Sequence, residues 1–312
     1  VTSRPIALLP EVEAALASRQ PVVAFETSAI AQGLPPPVNL EAARRQETAV
    51  RAGGAVPAFV GVIEGVIRVG LRPDDLGRLA SGAGVIKLAR RDLPAAVALG
   101  ETGGTTVSAT LHVCAMAGIA VCSTGGIGGV HPGGVDVSED IAALAATSAV
   151  VVCSGAKSIL DLAATLERLE TGGVLVAGLG VDEVPAFYAA SSGLPVQRRV
   201  DSPATVARLL VVARALGLTS AVLLAVPPPK PVPPEEVAAI LATAEGEVAG
   251  VRGSARTPAL LAAAARRSAG RLTAANVALL ERNAAVAAEV ARALAQPAAP
   301  VTLPRTWAGG GG

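Results

Sequence analysis

From Thr102 to Val135 the chain carries no Asp, Glu, Lys or Arg. An uncharged stretch of that length has to leave water, either for a bilayer or for the middle of a fold. Its many glycines, with His112 and His131 among them, do not suit a lipid-facing helix. Buried parallel strands and a buried helix are therefore expected, not a membrane span. Hydrophobic residues make up 51% of the sequence and aromatic ones only 2%, so the core is built from Ala, Val, Leu and Ile, as in layered helix-and-sheet proteins. The expected fold class is α/β: three layers, α/β/α, around a mixed and largely parallel central sheet, with a helical C-terminal region. One domain is expected over residues 1–295, followed by a flexible Pro/Ala/Gly tail over residues 296–312.

Charge and cysteine content exclude several classes of function. A net charge of +1 with scarce aromatics gives neither the basic stripe nor the stacking platform that a nucleic-acid polymer requires. Cys114, Cys122 and Cys153 have neither the even count of a disulfide framework nor the spacing of a zinc site, and read as small buried hydrophobes in a reducing compartment. No basic start followed by an apolar core and a cleavage site is present, so no secretory leader is expected and the location is expected to be cytoplasmic.

Lysine is rare: only Lys87, Lys157 and Lys230 occur, and arginine carries the rest of the basic charge. Lys157 follows the strand-like run AVVVC and the break Ser154-Gly155, where the pattern suggests the first turn of a helix. An amine at the positive end of a helix macrodipole disfavours its own protonation, which makes Lys157 a candidate Schiff-base nucleophile, a role arginine cannot fill. A solvated lysine at a helix start is the alternative. Lys87 lies inside the apolar run GVIKLAR, where it is costly without an anionic partner unless the strand is an edge strand guarded by the charge.

Other punctuation places candidate sites at strand ends. The strand Pro21 to Phe25 ends at Glu26, where open α/β sheets put their chemistry. A Gly/Pro-rich loop then closes with Asn39 ahead of a helix, and AVPAFVGVIEGVIRVG reads as a hairpin turning at Glu64-Gly65. Gly103-Gly104-Thr105-Thr106 reads as a tight turn whose threonines cap the next helix. TGGIGGVHPGGVDVSED offers backbone N–H groups to an anion, although it fits neither the P-loop nor the dinucleotide fingerprint. Directly behind it, Asp136, Glu139 and Asp140 supply hard oxygen ligands suited to Mg²⁺ or Mn²⁺, or else simply an acidic helix start. DEVPAFYAAS reads as a short helix, Asp201-Ser202-Pro203 opens a long one, AVLLAV is a strand, and only helices follow the PPPKPVPP connector.

Taken together, AFETSAIAQGLPPPVN, VIKLARRDLP, GGTTVSATL, STGGIGGVH, DVSEDIAALA, VVCSGAKSILDLAATLERLET, DEVPAFY, and TPALL with LTAANVALLERNAAVAAEVA resemble, in order, the pseudouridine-5'-phosphate glycosidase family, which includes the indigoidine-cluster protein. The resemblance implies reversible cleavage of the C–C glycosidic bond of pseudouridine 5'-phosphate to uracil and ribose 5-phosphate, with one divalent metal, usually Mn²⁺, and a homotrimeric assembly. It implies Lys157 as the nucleophile and Glu26 as the proton donor. Asp136 falls on the metal position, and Lys87, the backbone at Val107, Ser138, Glu139, Asp140 and Asn276 fall on substrate positions. The 131–136 loop is shorter than is usual in the family, Gln32 stands where histidine is common, Val226 where asparagine is common, and Ser254-Ala255 where Lys-Glu is typical. A diverged relative with a binding or accessory role is the alternative function. Glu26, Lys87, Asp136 and Lys157 are expected to converge on one cleft.

Overall fold

A computed structural model describes residues 6–251 and 256–296 of the chain. The N-terminal part runs β1 (Ile6–Leu8), α1 (Pro10–Ala17), β2 (Val22–Phe25), a π-helical turn at Ala29–Gly33, α2 (Val38–Ala52), β3 (Val56–Ile63) and β4 (Val66–Val69). It continues through α3 (Pro73–Ser81), β5 (Ile86–Leu88), α4 (Leu93–Ala98), β6 (Gly103–Thr105), α5 (Val107–Ala117) and β7 (Val121–Ser123). The C-terminal part comprises α6 (Glu139–Ala146), β8 (Val150–Cys153), α7 (Leu162–Thr171), β9 (Leu175–Leu179), β10 (Arg198–Val200), α8 (Pro203–Ala215), β11 (Val222–Ala225), α9 (Pro234–Glu247), α10 (Arg256–Arg267) and α11 (Arg271–Ala295).

The strands form one mixed, mostly parallel sheet in the order β1-β4-β3-β2-β7-β8-β11-β9-β10, with β6 pairing β3 and β5 pairing β6. Among the described strands, antiparallel pairing occurs only where β3 meets β4 and β6. The hairpin is where its sequence puts it: Glu64 and Gly65 both have positive φ, 50° and 75°, as a two-residue turn between twisted strands requires. Helices cover both faces, and the alternation of β8 shows why its sequence is apolar throughout. Val150 and Val152 pack with α8 and the C-terminal half of α11, while Val151 and Cys153 pack on the other face with α6 and α7. The uncharged Thr102–Val135 stretch supplies β6, α5 and β7, all largely buried, and no helix among the described residues is long and apolar enough to cross a membrane.

Several local expectations are corrected. Lys157 does not open a helix: α7 begins at Leu162, where Asp161 accepts the Ala164 N–H at 2.9 Å as N-cap. Gly155 at φ +88°, with Pro185 carbonyl oxygen only 2.0 Å from where a Cβ would sit, holds residues 154–161 as an irregular loop. DEVPAFYAAS is also a loop rather than a helix, with Phe187 at φ 61°. Gly103–Thr105 is a strand, and Thr106 precedes α5 without a side-chain capping bond. Asn39 lies inside α2, where its amide nitrogen donates to Ile30 and Ala80 carbonyls at 3.0 and 2.9 Å. The three-residue strands β1 and β10 lack enough alternation to be read from sequence. The 297–312 part of the expected tail, and Ser254-Ala255, lie outside the described residues.

Candidate active site

β2, β7 and β8 are parallel neighbours, so the segments following them emerge side by side at the carboxyl ends of the sheet. There they border a cleft with two lobes. The inner lobe, about 480 Å³ of non-atom space including its mouth, is lined by Glu26, Gln32, Lys87, Lys157, Phe187 and Asn276 among others. The second, polar lobe holds about 1020 Å³ on the same terms and is lined by residues including Lys87, Arg91, His131, Asp136, Asp140 and Lys157. The two lysines border both lobes. Four residues predicted to converge thus do so, with Glu26 on one side of the lysine pair and Asp136 on the other.

Glu26 is 6% exposed. β2 ends at Phe25, and β6 takes over pairing with the second half of β3, so the Glu26-Thr27 turn falls where one strand replaces the other. Thr27 and Thr105 hydroxyls both donate to the Val60 carbonyl, at 2.6 and 2.7 Å, and the Thr105 N–H donates to Thr27 Oγ1 at 3.0 Å. A Cβ at Gly104 would lie 3.0 Å from the Thr27 oxygen, so this closeness favours glycine. Glu26 Oε2 accepts from Ser28 Oγ at 2.7 Å and the Ala29 N–H at 3.0 Å, which fixes the carboxyl while Oε1 meets the Thr124 hydroxyl at 3.4 Å.

Lys157 is half-buried, and its position is set by pairing between two loops. The Lys157 N–H donates to the Ile127 carbonyl at 3.1 Å and the Ile127 N–H to Gly155 at 3.1 Å, beside a parallel bridge between Ile127 and Ala156. Asn283, wholly buried on α11, donates to the Thr124 carbonyl at 2.9 Å and to Ser154 Oγ at 3.2 Å, binding the ends of β7 and β8 together. Sequence reading missed it, although an asparagine on the apolar stripe of a long helix is a visible signal. Asn283→Ala should cost about 1–3 kcal/mol in urea unfolding, because a buried carbonyl and hydroxyl lose their partner.

Lys87 sits on the edge strand β5, yet its amine borders the cleft. Burial, and then the neighbouring Lys157 cation, push it below the ordinary lysine range, against the opposing pull of Asp140, Glu26 and Asp136. The sign follows: its charged form is lost at a lower pH than for a free lysine. Affinity for an anionic ligand should fall as pH rises through that lowered value, and Lys87→Arg, which stays charged, should flatten the fall. A titration of ribose 5-phosphate binding against pH checks this.

The polar lobe is built around the start of α6. Ser138 Oγ accepts the Asp140 N–H at 3.2 Å as N-cap, and Asp140 accepts the Ser108 and Gly128 N–H groups, both at 2.8 Å. Glu139 pairs with Arg90 at 3.0 Å and Arg91 at 3.6 Å. The expected trio of oxygen ligands is therefore corrected: Glu139 and Asp140 are engaged structurally, and among the described residues no group of three or more His, Cys, Asp or Glu is placed to hold a metal. Asp136 keeps 59% of its side chain exposed at the rim, 3.9 Å from His131 Nε2. One carboxylate fits an ion such as Mn²⁺ or Mg²⁺ that keeps waters and takes substrate phosphate as a ligand; it does not fit a cage made of protein. Val107 turns its side chain into the core, and its N–H, at the first position of α5, has no acceptor within the helix.

Asn276 and Gln32 complete the far wall. Asn276 Oδ1 is 3.4 Å from where a Gly125 Cβ would lie. Gln32 donates to the Val85 carbonyl at 3.3 Å while its Oε1 is buried without a partner. Val226 is buried at the end of β11 and donates its N–H to Cys153 at 2.8 Å. Lys230 is exposed, away from both lobes.

A family model described as indigoidine synthase A like protein matches residues 11–293. The pseudouridine-5'-phosphate glycosidase of Herpetosiphon aurantiacus is 52% identical, covering 93% of this chain and 98% of its own. That of Myxococcus xanthus is 49% identical, covering 92% and 97%. Among solved structures, an indigoidine synthase A-like protein from Thermotoga maritima superposes with a TM-score of 0.88 at 34% identity, covering 95% of this chain and 99% of that one. The prealnumycin C-glycosynthase in complex with ribulose 5-phosphate superposes with a TM-score of 0.85 at 38% identity, covering 94% and 98%.

Proposed function

Because the chain belongs to the indigoidine synthase A like family, we propose that it is a pseudouridine-5'-phosphate glycosidase, a lyase that reversibly cleaves the C–C glycosidic bond to give uracil and ribose 5-phosphate. The observation that carries this reading is the cleft itself. A nucleophile candidate and a buried carboxyl meet where a polar lobe joins a less polar one, an arrangement suited to a sugar phosphate on one side and a base on the other.

Uracil bonded through carbon is a poor leaving group, so the sugar must first become an electron sink. Lys157 Nζ bonds to C1′ while the C1′–O4′ bond breaks, and Glu26 gives O4′ its proton. The nitrogen lone pair then forms C=N as the C1′–C5 bond breaks, and the pair left on the base takes a proton at C5. Water hydrolyses the imine, returning Lys157 and releasing ribose 5-phosphate. Lys87 and the N–H groups at the start of α5 and α6 hold sugar and phosphate oxygens, while Asn276 faces the base. Asp136, with the substrate phosphate, would hold the divalent metal, which supplies charge neutralisation and positioning when bound. A homotrimeric assembly and a cytoplasmic location belong to the same proposal.

The test is uracil release from pseudouridine 5'-phosphate with and without Mn²⁺. Turnover stimulated by the metal is expected, with the stimulation lost in Asp136→Ala while thermal unfolding is unchanged, because a rim carboxylate adds little to the core. Absence of turnover would favour the accessory role.

A further inference from the structure

Three consecutive side chains after β2 take three different directions. Glu26 borders the inner lobe, Thr27 turns away to the Val60 carbonyl, and Ser28 turns back to Glu26. Ser28 precedes the π-helical turn at Ala29–Gly33, where a serine would ordinarily cap, yet its side chain makes no capping bond. Its hydroxyl instead donates to Glu26 Oε2 at 2.7 Å, and the Ala29 N–H donates to the same oxygen at 3.0 Å. Ser28 is buried, and among the described residues this is the one bond its hydroxyl makes. The turn that carries both donors is anchored in its own right. Asn39, also buried, donates to the Ile30 carbonyl at 3.0 Å, and Gln32 to the Val85 carbonyl at 3.3 Å.

The two oxygens of the Glu26 carboxyl are therefore unequal. Oε2 accepts from two donors, whereas Oε1 meets only the Thr124 hydroxyl, at 3.4 Å. A backbone N–H cannot turn acceptor, so a proton on Oε2 would weaken the Ala29 bond and force the Ser28 hydroxyl to rotate. A proton on Oε1 disturbs neither. When Oε1 gives that proton up, the charge spreads to Oε2 and the two donated bonds become charge-assisted, roughly twice as strong as neutral ones. Interactions that strengthen as the reaction proceeds lower its barrier rather than tighten substrate binding.

We propose that Ser28 is a positioning residue for the acid step: it keeps the Glu26 proton on Oε1 and steadies the carboxylate that forms when that proton passes to O4′. The proposal rests on the reading of Glu26 as the proton donor. In that step the Oε1 proton goes to O4′, the C1′–O4′ pair stays on O4′, and the Lys157 nitrogen pair makes the new bond to C1′. Ser28 keeps its own proton throughout.

The test uses the full-length enzyme, uracil release from pseudouridine 5'-phosphate, and borohydride trapping with ribose 5-phosphate. Ser28→Ala should lower kcat by about ten- to a hundredfold with KM nearly unchanged, the range for losing one hydrogen bond to a charged group. The adduct from ribose 5-phosphate should survive, because the open-chain sugar needs no ring opening. Ser28→Thr, which keeps the hydroxyl, should restore most of the rate. Added to Glu26→Gln, Ser28→Ala should lower kcat by no more than about twofold further, since a residue that acts through the carboxyl has nothing left to act on. Full kcat in Ser28→Ala would overturn the proposal, and so would equal losses in the Ala and Thr variants or losses that multiply in the double variant. If Glu26→Gln itself keeps the wild-type kcat, or the wild type releases no uracil, the proposal falls together with the reading beneath it.

Discussion

Lys157→Arg is expected to lower cleavage of pseudouridine 5'-phosphate by a factor on the order of 10⁴ or more, the scale seen when a covalent nucleophile is removed. Arginine keeps the positive charge and much of the length, and the half-buried position at the cleft tolerates it, so the fold should persist. What is lost is the amine that becomes an imine. The loss should appear in kcat, with near-normal binding of ribose 5-phosphate measured by calorimetry. Turnover within tenfold of wild type would remove Lys157 from the chemistry. The expectation does not depend on a helix dipole, since the loop from Ser154 to Asp161 places the residue well ahead of α7.

Glu26→Gln is expected to lower kcat by about 10² to 10⁴-fold, the range for a positioned general acid, and to leave KM nearly unchanged. The amide oxygen of glutamine still accepts the Ala29 N–H that now binds the carboxylate at 3.0 Å, so the side chain stays where it is. The proton for O4′ is what disappears. Because free ribose 5-phosphate reaches its open-chain form without enzymic ring opening, this variant should still form an imine at Lys157 from the product side. A rise in KM with unchanged kcat would instead make Glu26 a binding group.

Much of the frame was legible because its signals are local. Buried strands announce themselves as short β-branched runs, the β3–β4 turn as Glu64-Gly65, and the lysines as outliers in an arginine-rich chain. The positions of Glu26 and Lys157 just past strand ends followed from the same punctuation. What was misread is set by contacts between segments far apart in sequence. Residues 154–161 look helical until the Ile127–Ala156 bridge and the Pro185 carbonyl against Gly155 are present. DEVPAFYAAS likewise gives up a helix to place Phe187 against the cleft, its N–H donating to the Ser154 carbonyl at 2.9 Å. The carboxylates after the glycine-rich loop carry three different duties, and only the pairing of Glu139 with Arg90 and of Asp140 with two backbone N–H groups separates them from Asp136.

The central claim is that the Lys157 amine forms the bond to the sugar, and reductive trapping tests it directly. Enzyme incubated with ribose 5-phosphate and borohydride, then digested and analysed by peptide mass spectrometry, should carry one reduced ribitol-phosphate adduct on Lys157, absent in Lys157→Arg and retained in Lys87→Arg at high sugar phosphate. An adduct on Lys87 or Lys230, with none on Lys157, would contradict it.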